Sequence, residues 1–266
     1  MVGTVLQQVY AMPKYFVHEI QGQTFQLEGD VAHHLKHVLR VRTGEKVVLC
    51  DGKSTDYHCV IESLDPLTLV IEHHQESKTE LPCQITLYQG MPKADKLEWI
   101  IQKSVELGVH AIVPVYTEHC VVRKPSGQAQ GKQDTKLLRY QKISEAAAGQ
   151  SMRGIIPKIH PPMSWKEAFE MATTNRAVDR LMLAAHEKEQ IQTLKTITAH
   201  ISASQSLKEP MEIGLWIGPE GGFSEKEIEA MEASSFKLVS LGPRILRAET
   251  AAIAAVAQIA MMVEGE

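Results

Sequence analysis

Residues 211–231 read MEIGLWIGPEGGFSEKEIEAM: an apolar, strand-like run, a glycine-rich turn, and then the S-x-x-E box of Ser224 and Glu227. Such a box opens a helix. The order of strand, tight turn and helix recurs at residues 236–256, FKLVSLGPRILRAETAAIAAV. It is the repeating unit of an α/β fold with a mainly parallel sheet. Gly221 and Gly222 permit positive φ and let a ligand approach the backbone. A glycine turn between strand and helix usually cradles a phosphate, but Glu220 places a carboxylate where that anion would be repelled. The spacing is neither G-x-G-x-x-G nor G-x-x-x-x-G-K-[ST]. What remains is a ligand that wants glycine backbone and no phosphate grip, or a tight turn with no ligand.

Outward from this stretch the same rhythm holds back to Pro82. Strand QITLYQG, helix ADKLEWIIQKSVELG and strand AIVPVYT follow one another, and Leu97, Ile100, Ile101, Ser104 and Val105 form the helix's inward stripe. A polar loop, VVRKPSGQAQGKQD, leads to a helix over 135–150, strand GIIPKI, and a helix opened by a second box at Ser164 and Glu167. RLMLAAHE supplies a further strand.

Before Pro82 the pattern is of short strands: KYFVHEI, TFQLEG, EKVVLCDG, DYHCVIESL and LTLVIE. One helix interrupts them, DVAHHLKHVLRV, with Asp30 as the expected N-cap. This is a small β-barrel-like domain. The polar run HHQESKTELP closes it, which predicts one domain over residues 1–80 and an α/β domain over 81–266.

Composition narrows the function classes. The 266 residues are 44% hydrophobic and 23% charged, enough for a sizeable core. The most apolar run, AAIAAVAQIAMMV, is shorter than the roughly 18 residues a membrane span needs. The N-terminus has no basic region followed by an apolar one, so the expectation is a soluble cytoplasmic protein with no membrane partner. Cys50, Cys59, Cys83 and Cys120 form no CxxC pair and read as reduced core residues. The net charge of −4 is uneven: residues 81–160 hold 11 basic against 6 acidic side chains, while both flanks are acidic. A basic middle in an acidic chain suits a selected, folded RNA better than unselective coating of a duplex.

Three further stretches carry candidate chemistry. In LGPRILRAET, Arg244 and Arg247 stand just before a helix, where cations oppose the helix dipole unless something else needs them. Two strand ends with glycine turns in one sheet can build a single crevice. In RYQKISEAAAGQSMRGIIP, Arg139 and Lys142 suit a solvated helix face, and Arg153 stands at a helix-to-strand junction. In HHLKHVLRVR, His33 and His37 share a helix face, but two ligands make no metal site, so no metal is expected. Lys36, Arg40 and Arg42 suit phosphate contacts.

Taken together, HHLKHVLRVRTGEKVVLCDG, KADKLEWIIQKSVELGVHAIVPV, IGPEGGFSEKEIE and LGPRILRAETAAI resemble the signature blocks of the bacterial 16S rRNA uracil-N3 methyltransferases, the RsmE family. The resemblance runs in order from about Pro13 to the end. It departs at AAAGQSMR (146–153), where the family often reads EAAEQSxR. It departs again at His119-Cys120, where the family commonly has Arg-Ser. Residues 1–11 precede the usual start. The resemblance implies an N-terminal PUA-like RNA-binding β-barrel and a C-terminal SPOUT domain with a trefoil knot. It also implies S-adenosylmethionine (SAM) bound in that knot, and a homodimer acting on 16S rRNA of the small ribosomal subunit.

By the same resemblance, the SAM pocket is formed by Leu183, Ala184 and His186, by Ile217, Gly218, Pro219, Glu220 and Gly221, and by Leu241, Gly242, Ile245 and Leu246. RNA contacts fall to His34, Lys36, Arg40, Arg42, Arg123 and Lys124. Methylation at N3 of a decoding-region uridine requires the N3 proton to leave as charge develops on the neighbouring carbonyl oxygens. Arg153 or Arg247 is expected to stabilise that charge, and Glu249 or solvent to take the proton. Other readings are a SPOUT methyltransferase with another RNA target, and an RNA-binding module without catalysis. Calorimetry with SAM separates the last from the rest.

Overall fold

The computed structural model describes residues 14–17, 20, 22–123, 130–174, 180–186, 193–194 and 211–264. The chain divides into two compact units, residues up to Glu80 with Glu145–Ile156, and Leu81–Ser144 with Pro157 onward.

In the first unit, β1 (Lys14–Phe16), β2 (Thr24–Gln26), β3 (Lys46–Cys50), β4 (Thr55–Leu64) and β5 (Leu67–Glu76) form one sheet in the order β1-β3-β4-β5-β2. Only the β1–β3 pair is parallel. Alternation puts Val47, Leu49, Cys59, Ile61, Leu67 and Leu69 on the buried face, where they pack with Leu35. β5 continues through His73 to Glu76, beyond the predicted start of the linker. Its last residues are exposed and show no alternation; pairing with Thr55–His58 holds them in the sheet.

The predicted 30–41 helix is a short α-helix, α1 (Gly29–His33), continued by a π-turn over His34–Leu39 that ends at Arg40 in the left-handed region, φ 54°. Asp30 is not its cap. The cap position is Glu28, with no side-chain bond, because Gly29 at φ +78° turns the chain into the helix by itself. Asp30 lies in the first turn, where its charge complements the dipole.

The second unit is built on β6 (Cys83–Gly90), β7 (Ala111–Tyr116), β8 (Lys158–Ile159), β9 (Met163–Ser164), β10 (Arg180–Ala185), β11 (Met211–Ile217) and β12 (Lys237–Val239). Their order is β12-β10-β11-β6-β7-β8, with β9 also on β7, and every pair is parallel. Near-continuous apolar runs such as IVPV and LWI suit strands buried on both faces. The helices are α2 (Lys96–Glu106), α3 (Gln130–Gln150, whose last turn belongs to the first unit), α4 (Trp165–Thr174), α5 (Glu225–Ala233) and α6 (Ala248–Glu264). All five residues of the stripe on α2 are buried. Tyr88 and Trp216 stack at 4.4 Å in the core on neighbouring strands, with Trp165 edge-on to Trp216 at 5.1 Å.

The predicted strand GIIPKI is reduced to Lys158–Ile159. Pro157 has no N–H to give a ladder, and the Gly154 and Ile155 N–H groups are taken by the Glu80 carboxylate at 3.0 and 3.3 Å.

Candidate active site

Because the sheet of the second unit is parallel, the C-terminal ends of β6, β10, β11 and β12 lie along one edge, the usual place for a ligand crevice in such folds. Two glycines set how close these ends come. A Cβ on Gly90, the last residue of β6, would stand 2.5 Å from the Pro219 backbone nitrogen, so only glycine admits the GPEGG turn there. The turn closes with the Gly222 N–H donating to the Pro219 carbonyl at 2.9 Å. Gly221 packs on His119, whose Nδ1 stands 3.0 Å from the Gly221 carbonyl. A carbonyl can only accept, so Nδ1 carries the proton.

The helix after the turn begins as predicted. Ser224 Oγ accepts from the Glu227 N–H, and Glu227 Oε2 accepts from the Ser224 N–H at 2.9 Å. Glu227 Oε1 accepts in addition from the Glu118 N–H at 2.9 Å, tying the loop after β7 to the box. The loops after β10 and β12 are joined through backbone: the His186 N–H donates to Val239 O at 3.0 Å, and the Leu194 N–H to Ser240 O at 3.2 Å.

Glu220 is not loose in this crevice. Its Oε1 accepts from the Lys93 N–H and from Lys96 Nζ, each at 3.2 Å. Lys96 Nζ also lies 3.2 Å from Glu249 Oε2 at the start of α6. Partial burial pushes the Glu220 pKa up, but the hydrogen bonds from its own backbone N–H, from Lys93 and from Lys96 outweigh it and leave the pKa below the ordinary 4.5. The neighbouring Glu249 carboxylate, and then that of Glu220, raise Lys96 above 10.5. Sequence reading singled out both carboxylates and missed the lysine between them.

The predicted pocket residues fall into two groups. Leu183, Ala184 and Ile217 are buried within their strands, so their side chains pack the core. His186, Gly218, Pro219, Glu220, Gly221, Leu241, Gly242, Ile245 and Leu246 stand on the turns beyond. Ile245 is 84% exposed, an apolar side chain held out on a loop. These turns offer backbone amides, carbonyls and the apolar side chains of Leu241, Ile245 and Leu246, with Arg244 and Arg247 exposed beside them. That donor set fits an uncharged adenosine and a methionine tail better than a polyphosphate. Arg247 has no side-chain hydrogen bond or ion pair among the described residues, so its guanidinium is available to a ligand.

Arg153 is occupied otherwise. It belongs to the first unit, is 2% exposed, and pairs with Glu80 through Nη2 and through Nε at 3.3 Å. Its position is that of a buried charge paired within the first unit. Of the RNA candidates, His34 lies against Tyr15 at 5.7 Å and Lys36 reaches Asp65 at 3.6 Å. Arg40, Arg42 and Arg123 are exposed, and Lys124 lies outside the described residues. His33 and His37 do share a face, with rings 4.6 Å apart. Among the described residues no group of three or more His, Cys, Asp or Glu could hold a metal ion. No described helix is long and apolar enough to cross a membrane.

Comparison with known proteins shows the family. Residues 79–260 match the family model of the RNA methyltransferase domain, and residues 27–72 match that of the RNA methyltransferase PUA domain. The ribosomal RNA small subunit methyltransferase E of Bacillus subtilis is 32% identical over 95% of this chain and 98% of its own length. That of Mesomycoplasma hyopneumoniae is 32% identical over 91% and 96%. The crystal structure of the Neisseria gonorrhoeae enzyme of the same name, bound to S-adenosyl methionine, superposes with a TM-score of 0.77 at 31% identity, over 93% of this chain and 96% of that one. The chain belongs to the ribosomal RNA small subunit methyltransferase E family.

Proposed function

We propose that the protein transfers a methyl group from SAM to N3 of a uridine in the decoding region of 16S rRNA, within the small ribosomal subunit. The observation that carries this reading is that the GPEGG and LGPRILR turns leave the same edge of one parallel sheet, in a chain of this family. His186, Gly218–Gly221 and Leu241–Leu246 would hold the cofactor, with the adenine against Ile245. When bound, SAM supplies an activated methyl group. The knot, the homodimer and the cytoplasmic location belong to the same proposal, on the strength of family membership.

The chain's own residues then do three things. The turns align the base with the methyl group, and alignment supplies much of the rate once the donor is activated. Arg247, whose guanidinium no described residue engages, meets the charge that develops on the uracil oxygens as the N3 proton leaves. Glu249 takes that proton. N3 lies on the pairing edge of the base, so the target must be unpaired or flipped out. The first unit and Arg123 contact phosphate and shape, which predicts RNA affinity that falls steeply with salt.

Incubation with labelled SAM and small subunits lacking the modification, followed by mapping of the labelled nucleotide, tests the reading. Label on a uridine N3 is expected; label elsewhere, or none, refutes it. Arg247→Ala should lower the rate at saturating SAM and RNA on the order of 10²–10³-fold.

A further inference from the structure

Lys96 is the first residue of α2, where a cation opposes the partial positive charge of the helix start. Local preference therefore argues against it, and what holds it comes from elsewhere in the chain. Glu220, from the turn after β11, and Glu249, from the start of α6, each bring a carboxylate oxygen to 3.2 Å from Nζ. Glu220 is itself fixed by the Lys93 N–H. The three side chains are partly enclosed, at 30%, 23% and 17% exposure for Lys96, Glu220 and Glu249. Glu249 Oε2 is closed off from solvent and has no hydrogen-bond partner among the described residues, so the ammonium 3.2 Å away holds it by charge. The ammonium thus joins the turn after β11 to the start of α6, in the crevice that carries the proposed chemistry. Without it, two carboxylates would share that enclosure with no counter-charge between them, and nothing else among the described residues would hold Glu249 by its side chain.

We propose that Lys96 is a positioning residue of the transfer site: it fixes the Glu249 carboxylate where the proton of the target base is received. The inference rests on the reading above, in which Glu249 is the acceptor. The N3–H bond breaks and its proton joins a Glu249 oxygen; the electron pair left on the ring nitrogen forms the new bond to the methyl carbon as the donor's carbon–sulfur bond breaks, its pair going to sulfur. Lys96 neither gains nor loses a proton in the step.

The test compares wild type with Lys96→Met, Lys96→Arg, Glu249→Gln and the double variant Lys96→Met/Glu249→Gln. Methyl transfer to undermethylated small subunits gives kcat and KM, calorimetry gives SAM affinity, and a melting curve reports folding. Lys96→Gln, which can still hydrogen-bond, replaces the Met variant if that one melts early. Lys96→Met should lower kcat about 10²-fold, the scale of a misplaced general base. SAM affinity and melting should stay close to wild type, and Lys96→Arg should recover most of the loss. The double variant should be no slower than Glu249→Gln alone, because both changes remove one interaction. Losses that multiply, or a Lys96→Met variant with reduced SAM affinity and unchanged kcat, overturn the proposal while the reading stands. A wild-type protein that transfers no methyl group overturns both.

Discussion

Each unit contains a lysine held by acidic or polar oxygens, and the two are built differently. Lys14, in the first unit, has no exposed side-chain surface. Its Nζ donates to Asp56 Oδ2 at 2.8 Å, Ser77 Oγ at 3.1 Å and the Met152 carbonyl at 2.8 Å, which uses all three of its protons. Lys96, in the second unit, is part-exposed, donates to Glu220 and lies in ion-pair contact with Glu249, which leaves it short of a full set of partners. A saturated, enclosed ammonium can only hold structure together. An unsaturated one at an opening keeps a donor and a charge for something that arrives.

The first and largest test of that contrast is Lys14→Met. Removing one partner of a buried pair strands the other, here Asp56, and costs about 3–5 kcal/mol. A urea titration should show the loss as a fall in midpoint at unchanged slope. The same substitution at Lys96 should leave the midpoint nearly in place and act on rate. If Lys96→Met unfolds the protein as readily as Lys14→Met does, the two centres are of one kind and the distinction fails.

Glu80 extends the enclosed class. Its carboxylate gathers Arg153 and the Gly154 and Ile155 N–H groups, which fastens the 145–156 segment into the first unit. Glu80→Gln keeps the shape and removes the charge, and should cost about 1.5–3 kcal/mol, the worth of a hydrogen bond to a charged group. Melting at normal methyl-transfer rate per folded molecule is the expected result. A rate loss without a stability loss would favour the catalytic role expected of Arg153.

What sequence could and could not show follows the same division. Features set by near neighbours were legible: both S-x-x-E boxes form, the stripe on α2 is buried, and the strands after Pro82 build a parallel sheet. Features set by topology were not. Lys96, Glu220 and Glu249 lie far apart in the chain, and no periodicity links them. One local signal did exist. A lysine at the first position of a helix conflicts with the dipole, the same argument that drew attention to Arg247, and it applied equally to Lys96. The partner of Arg153 was hidden for a related reason. Glu80 lay in a run that read as linker, so nothing in the sequence joined the two charges. The π-turn after α1 had no signal, since HHLKHVL is compatible with an ordinary helix.

The two capping boxes repeat the contrast on a smaller scale. Ser224 and Glu227 are both buried and Glu227 also holds the Glu118 N–H, whereas Ser164 and Glu167 bond mainly to each other at the surface, 2.6 Å apart. Ser224→Ala should cost about 1–2 kcal/mol, the upper part of the range for a lost cap, and Ser164→Ala nearer 0.5 kcal/mol. Chemical denaturation of the two variants side by side decides it; equal losses would mean that enclosure adds nothing to a cap.

The smallest effect expected is in the pH dependence, and it separates the centres without any mutation of the fold. Glu220 has a folded pKa below its ordinary 4.5, so its contribution is present above that value and is lost as pH falls through the lower folded one. Lys96 has a folded pKa above 10.5, so its contribution is present below that value and is lost as pH rises through the higher one. Between these limits the pair is fully charged, and its effect on melting should be flat from pH 5 to pH 10. His58 behaves otherwise. Burial, and then the neighbouring His73 stacked at 4.3 Å, hold it below the ordinary 6.5. His160 is held down by burial and by Lys158. Both favour the fold above pH 6.5 and less so as the pH drops through their folded values. Melting temperatures between pH 8 and pH 5 should therefore fall slightly in the wild type and in Lys96→Met alike. They should fall less in His58→Phe. A slope in that window that disappears with Lys96 would mean that Lys96, and not the half-buried histidines, senses pH near neutrality.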